Sequence, residues 1–388
     1  MDSKINISLK VKLIIGIVMI IGLVLAFLGF NNDKSGASVL WSNILLNGYF
    51  YLAIAGGGAF FVTVHTISDS GWHTGLNRIP EAMGIFLPIG GLMILLVIPG
   101  IPSIYHWSHP GDDALLIGKS GWLNTPFFII RMIIYISIWA LLFMQIRKVS
   151  LLMDENDDLK NYSKMKTYSA IFTVVFVLTF YFASWDWLMS TDPHWYSTLY
   201  GFYIISGMLA ATFAMIILIL ALMKLMGYFG HVNEEQIHDL GKYLFAISMF
   251  WGYLWGSQFL LIWYSNIPEE SVYFVERLAH YKALFGVSAS INFILPLLLL
   301  MTRGSKRNLI WLSLIAFFVL AGQWSNFYLS IVPGTSEHIV HIGLFEIGLA
   351  LVYLCIFIFA VFHSLTKGKQ VARNHPFLQE SFEYENII

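Results

Sequence analysis

Apolar residues run along this chain in long, nearly unbroken blocks separated by short polar stretches. The blocks lie near 11–30, 41–67, 79–98, 125–146, 167–189, 196–225, 241–264, 278–302, 308–332 and 337–363. A helix crossing a bilayer core of roughly 30 Å needs about 20 such residues. Segments of alternating polarity, the mark of a membrane barrel, are absent. The pattern predicts an all-α polytopic membrane protein with ten transmembrane helices. Pro88-Ile89-Gly90-Gly91 and Pro296 are expected to kink their helices, and Gly56-Gly57-Gly58 to let neighbouring backbones approach closely.

Basic residues sort by side. Alternating the blocks across a bilayer places 17 of the 22 Lys and Arg residues on one face, and only Lys34, Lys119 and Arg277 on the other. Arg131 and Lys282 fall inside blocks. The positive-inside rule then puts both termini in the cytoplasm, which an even number of spans also requires. The first block follows Lys4, Lys10 and Lys12, as a signal peptide would. It ends Phe30-Asn31-Asn32 without a small-residue cleavage site, and is expected to be a retained helix.

Composition narrows the chemistry. The chain is 57% hydrophobic and 12% charged, with mean hydropathy +0.71, which excludes an ordinary soluble domain. A net charge of -1 offers no basic excess to draw nucleic acid. The single cysteine, Cys355, rules out an intrachain disulfide, a CxxCH haem attachment, a Cys-ligated iron–sulfur cluster and a four-cysteine zinc site. Cytoplasmic loops such as Met153 to Asp158 read as solvated connectors. The outer loops His106 to Asp113, Trp185 to Trp195 and Tyr264 to Glu270 combine aromatics, His, Pro and acids. They read either as an aromatic belt with turn chemistry or as a docking surface for partners.

A weak internal repeat is present. At an offset of 140, Asp186, Trp187, Ser190 and Pro193 align with Asn326, Phe327, Ser330 and Pro333. Gly48-Tyr49-Phe50-Tyr51 and Gly201-Phe202-Tyr203 open spans two and six alike. This implies a parallel repeat of two four-helix bundles, helices 2–5 and 6–9, flanked by helices 1 and 10. The corresponding regions are 1–40, 41–195, 196–336 and 337–388.

Ionisable residues inside a membrane are costly and should face protein or water. His65 and Asp69, four residues apart, and Glu81 lie near the cytoplasmic end. Arg131, Asp186, Glu276, His280, Lys282, His338 and His341 lie toward the outer end, with Glu346 deeper. Thr63, Thr179, Ser248, Ser288 and Asn292 fall between the two layers. The distribution suits two half-channels of a proton path through His65, Asp69, Glu81, His280, His338, His341 and Glu346. Snorkelling side chains and a structural Arg131–Asp186 pair would produce much of the same pattern. The span histidines sit at mismatched depths for bis-His haem, no metal constellation is visible, and no cofactor is expected to be bound by this chain itself.

Two outer motifs are long enough to be specific: Trp185-Asp186-Trp187-Leu188-Met189-Ser190-Thr191-Asp192-Pro193-His194-Trp195, and Gln258-Phe259-Leu260-Leu261-Ile262-Trp263-Tyr264-Ser265-Asn266-Ile267-Pro268-Glu269-Glu270. With the ten spans they make the chain resemble, over nearly its whole length, the NrfD/PsrC-like membrane subunits of bacterial alternative complex III. The resemblance implies a subunit of a quinol:cytochrome c or other quinol:electron acceptor oxidoreductase in the bacterial inner membrane. The partners it implies are a second NrfD-like subunit, an iron–sulfur subunit, c-type cytochrome subunits and a terminal cytochrome oxidase, the last an optional one. The haems and iron–sulfur clusters would belong to those partners, and catalysis to the assembly. It also implies an outer site for menaquinol or another quinol, where Asp186, His106, His109 or His194 would accept protons and Arg131 would set the local potential. Whether this chain or its sister subunit oxidises quinol stays open. A secondary transporter and a purely structural membrane scaffold are the alternative readings.

Overall fold

A computed structural model describes residues 5–32, 36–155, 159–335 and 341–384. Among them are ten helices long and apolar enough to cross a membrane. They are α1 (Leu9–Asn32), α2 (Ala37–Ile67), α3 (Arg78–Ile104), α4 (Thr125–Leu152), α5 (Leu159–Trp187), α6 (Leu199–Leu225), α7 (Glu234–Ser265), α8 (Lys282–Leu299), α9 (Leu309–Thr335) and α10 (Leu344–Leu365). The chain is an all-α polytopic membrane protein.

Each helix packs on its successor from α2 to α5, and α5 closes the ring on α2. Helices α6 to α9 form a second ring in the same way. The rings meet where α2 touches α6 and α9, and where α5 touches α6. Exchanging the two rings maps the α2–α9 contact onto α6–α5 and leaves α2–α6 unchanged. Helix α1 packs on α10, which in turn leans on α2 and α3. Gly22, Gly29 and Gly348 allow the α1–α10 backbones to touch, since a Cβ at any of them would overlap the other helix.

Helices α2 and α6 are the most completely buried of the ten, and glycine makes their crossing close. A Cβ on Gly57 would overlap the Thr212 hydroxyl, and one on Gly56 the ring of Phe176. Gly57→Ala should therefore destabilise the chain by about 1–3 kcal/mol, the usual cost of overpacking. Thermal unfolding in a mild detergent checks this, and Thr212→Ala in the same chain should recover part of the loss.

Proline breaks two helices. Span α3 is interrupted after Gly84 and again around Ile98–Gly100, where Pro88, Pro99 and Pro102 each begin a new helical segment. In α8, Pro296 cannot donate to the carbonyl four residues back, and a π-helical turn at Ser290–Ile294 precedes it. The expected eighth span is also shorter than its apolar block. Pro268–His280 forms a separate amphipathic helix, ended by a change of backbone direction at Tyr281, and α8 starts only at Lys282. Glu276 and His280 thus lie before the span rather than in it.

The face rich in Lys and Arg, the basic face, is not made of solvated connectors. Residues 71–84 are buried without interruption. The C-terminal tail returns over them: Gly75 N donates to Ser381 Oγ at 2.9 Å and Phe229 N to Gln370 Oε1 at 3.0 Å. Gln236 Nε2 ties Trp72 O at 2.8 Å to Ser381 O at 3.0 Å, and Asn6 N reaches Tyr228 OH at 2.9 Å. The described N-terminal and tail residues therefore share this face. Asp154, expected in a solvated loop, is drawn into contact with Arg78, while residues 156–158 lie outside the described set.

Candidate functional site

At the opposite, aromatic face, the first ring ends in a charged pair. Asn124 caps α4 by accepting from Phe127 N at 3.0 Å, with Pro126 in the first turn, and this sets Arg131 two turns in. Asp186 occupies the last turn of α5. Arg131 Nε donates to Asp186 Oδ2 at 2.8 Å and Nη2 to Oδ1 at 3.0 Å, a bidentate pair. Trp122 Nε1 adds a bond to Oδ1 at 2.7 Å and Tyr135 OH one to Oδ2 at 3.4 Å. The guanidinium lies 4.3 Å from the ring centres of both Trp122 and Phe127. Both charged side chains are buried, so the pairing anticipated from sequence is formed.

A cleft of about 330 Å³ opens beside this pair, walled by Trp122, Trp185, Trp195 and Tyr196, with Asp186 and Ser190 also among its lining residues. Lys119 closes one side by donating from Nζ to Pro193 O at 2.6 Å, and partial burial draws its pKa down against the pull of Asp113. Aromatic walls around one carboxylate suit a flat ring that carries hydroxyl donors. The three histidines expected here do not line the cleft. His106 and His109 are exposed, His109 Nδ1 lying 2.9 Å from Ser108 Oγ. His194, also exposed, sits 3.2 Å from Asp113 Oδ2. Trp122, Tyr135, Trp185 and Lys119 were not singled out from sequence. In the sequence Lys119 is only one of three basic residues on this face, and Trp185 only the start of an outer motif.

The expected proton-path residues fall in separate places. Glu81 is buried at the basic end of the first ring, where it takes Arg78 Nη1 at 2.9 Å, Ser150 Oγ at 2.7 Å, Asn77 Nδ2 at 3.2 Å and Arg147. Asp69 is half-exposed, and hydrogen bonds from Lys166 and from Tyr162 hold its pKa below the usual carboxylate value. His65 stacks between Phe61 and His73, with ring centres 4.1 and 4.6 Å away, and its Nδ1 lies 2.8 Å from Phe61 O. Between the Glu81 and Asp186 ends stand Trp139, Phe176 and Phe180, with centres 5.3 and 5.9 Å from Trp139. Thr179 is bonded to Trp139 Nε1 at 2.7 Å, and Thr63 to Thr173 at 3.0 Å. An aromatic block therefore separates the two charged ends.

His280 and His341 both line a second hollow of about 210 Å³, beside Tyr328. Glu346 is buried nearby and has a local task. It accepts from Gly343 N at 2.8 Å, capping α10, and from Asn43 Nδ2 at 3.3 Å. His338 lies outside the described residues. Among the described residues no group of three or more His, Cys, Asp or Glu is arranged to hold a metal ion.

Two further histidines are buried where the tail packs, His73 beneath it and His375 within it. His73 is buried with neither ring nitrogen hydrogen-bonded, and His375 packs against Tyr162 with ring centres 5.2 Å apart. Burial pushes both pKa values down, that of His375 to about 4, with His65 and His375 adding to the effect at His73. A histidine kept neutral when folded but free to ionise near its ordinary pKa when unfolded stabilises the fold above that pKa, and the stabilisation is lost on acidification. For His375 the loss is about 2 kcal/mol by about pH 5. Limited proteolysis should release the tail faster at about pH 5 than at about pH 7.5, and His375→Phe should flatten the difference. Equal cleavage rates at the two values would show the tail to be held by other contacts.

No protein-family model matches the chain, and no curated protein matches it.

Proposed function

We propose that the chain is an NrfD/PsrC-like membrane subunit of a quinol:electron acceptor oxidoreductase of the alternative complex III type. Its basic face is cytoplasmic, and its aromatic face lies on the outer side of a bacterial inner membrane. The supporting observation is the aromatic-walled cleft with Asp186 among its lining residues, at the end of the first ring where the motif from Trp185 to Trp195 lies. The cleft takes the hydroquinone head of menaquinol or a related quinol. Asp186, paired with Arg131, accepts a hydrogen bond from a ring hydroxyl, and electrons pass to iron–sulfur and c-haem groups of partner subunits docked on the same face. Oxidation to the quinone releases two electrons to those groups and two protons, which leave toward the outer aqueous side, where exposed His194 pairs with the half-buried Asp113. Any proton uptake from the cytoplasm starts at the Glu81 end and must pass the aromatic block.

Gly118 lines the cleft and has open space around its Cβ position, so a larger side chain there fills the cleft without disturbing packing. In the complex purified from membranes, Gly118→Phe should lower quinol oxidation by about tenfold or more, equivalent to about 1.4 kcal/mol of transition-state stabilisation. Unchanged turnover in a complex of normal composition would assign quinol oxidation to another subunit. Recovery of the tagged chain alone, without haem or iron–sulfur partners, would reject the assembly.

A further inference from the structure

The second ring carries polar stripes that the quinol reading does not use. On α7, Ser248, Trp251, Trp255 and Gln258 recur at spacings of three and four and so share one face. Ser288 and Asn292 do the same on α8, and Gln323, Asn326 and Ser330 on α9. Apart from the partly buried Trp255, all of these are buried. An enclosed cavity of about 20 Å³ lies between them, lined by Tyr203, Gln258, Tyr273, Arg277, Ser288 and Asn326 among others.

The hydrogen bonding around it is incomplete. Tyr203 OH donates to Asn326 Oδ1, and Asn326 Nδ2 to Gln323 Oε1 at 3.3 Å. Asn292 Nδ2 donates to Ser288 Oγ at 3.3 Å, and Ser288 Oγ to Gly322 O at 3.4 Å. Gln258 Nε2, Gln323 Nε2 and Trp251 Nε1 are buried donors with no acceptor, and Asn292 Oδ1 is a buried acceptor with no donor. Each such group left unpaired costs about 1–3 kcal/mol. An anion would satisfy only the donors and a cation only the acceptor, whereas water satisfies both. The cavity also has the volume that one water molecule needs. Toward the aromatic face it is closed by Arg277, which donates to Asp192 Oδ2 at 2.9 Å, Leu329 O at 2.8 Å and Tyr273 O at 2.9 Å. Toward the middle of the ring it is continued by Asn292, which lies within the π-helical turn.

We infer that the second ring holds bound water in this cavity, inward of the Arg277–Asp192 pair, where the unpaired Gln258 Nε2 and the polar groups of Tyr203, Ser288 and Asn326 can bond it. This water places one hydrogen-bonded step for a proton inside the second ring, at a depth where the first ring is filled by aromatic side chains. It stands whether or not the cleft at Asp186 binds quinol.

Brief X-ray irradiation turns bound water into hydroxyl radicals that oxidise the side chains touching it. The full chain in lipid nanodiscs should show Tyr203 and Tyr273 oxidised well above Trp139 and Phe180, which are also buried but face the aromatic block. Asn326→Leu with Gln258→Met should cut labelling of Tyr203 several-fold and leave that of exposed Tyr264 unchanged. Labelling of Tyr203 and Tyr273 as low as that of Trp139 in the wild-type chain would overturn the inference, a comparison that needs no variant to fold. Undiminished labelling of Tyr203 in a variant with wild-type helicity and elution would overturn it as well.

Discussion

Asp186→Asn is expected to destabilise the chain by about 3–5 kcal/mol, because it leaves the Arg131 guanidinium buried without its counter-charge. The asparagine keeps one oxygen for Trp122 or Arg131, but its amide points donors at donors. Replacing both partners, as Arg131→Met with Asp186→Leu, should restore most of the lost stability, since a buried pair exchanged for apolar groups of similar size is often close to neutral. Quinol oxidation by the assembled complex should behave differently. If Asp186 takes part in binding the quinol head, activity falls in the single variant and stays low in the double variant although the fold has recovered. Unfolding in mild detergent and turnover of the purified complex measure the two quantities separately. A double variant with wild-type turnover would make the pair a structural rivet and nothing more.

How far this site could be read from sequence follows from the physics of each residue. A charge inside an apolar block is rare and expensive, so Arg131 and Asp186 were visible, and their pairing followed from shared depth. Trp122 and Tyr135 were not visible, because aromatic residues are common throughout a membrane chain and one that binds a carboxylate looks like the rest. The kink at residues 88–91 was legible, and the ten blocks were legible for the same reason that the second α3 break around Ile98–Gly100 and the Pro268–His280 helix were not. Length and hydropathy report that a segment can cross a bilayer, whereas Pro99, Pro102 and Tyr281 change the backbone without changing hydropathy. The histidines buried where the tail packs escaped notice because burial of His73 depends on residues 370–384 folding back across the basic face, a long-range contact without a local pattern.

The basic end of the first ring should respond even more strongly than the aromatic end. Glu81 carries two arginines, Arg78 and Arg147, while Arg78 also binds Asp154, so two positive and two negative groups balance in one buried cluster. Glu81→Gln leaves an excess positive charge among side chains that are almost wholly inaccessible, at a cost of about 3–5 kcal/mol or more. Adding Arg147→Met removes that excess and leaves the neutral Arg78–Asp154 pair, so the double variant should regain most of the stability lost by the single one. Tail release by limited proteolysis should follow the same order, because His375 lies close enough to feel both Glu81 and Arg78. The pair of variants also separates support from proton uptake. In a complex that refolds with both changes, an unaltered ratio of protons moved to electrons passed would confine Glu81 to holding the helices together. A lowered ratio with electron transfer intact would place it at the cytoplasmic start of a proton route. Wild-type stability in Glu81→Gln alone would mean that water reaches the cluster and screens it, contrary to its burial.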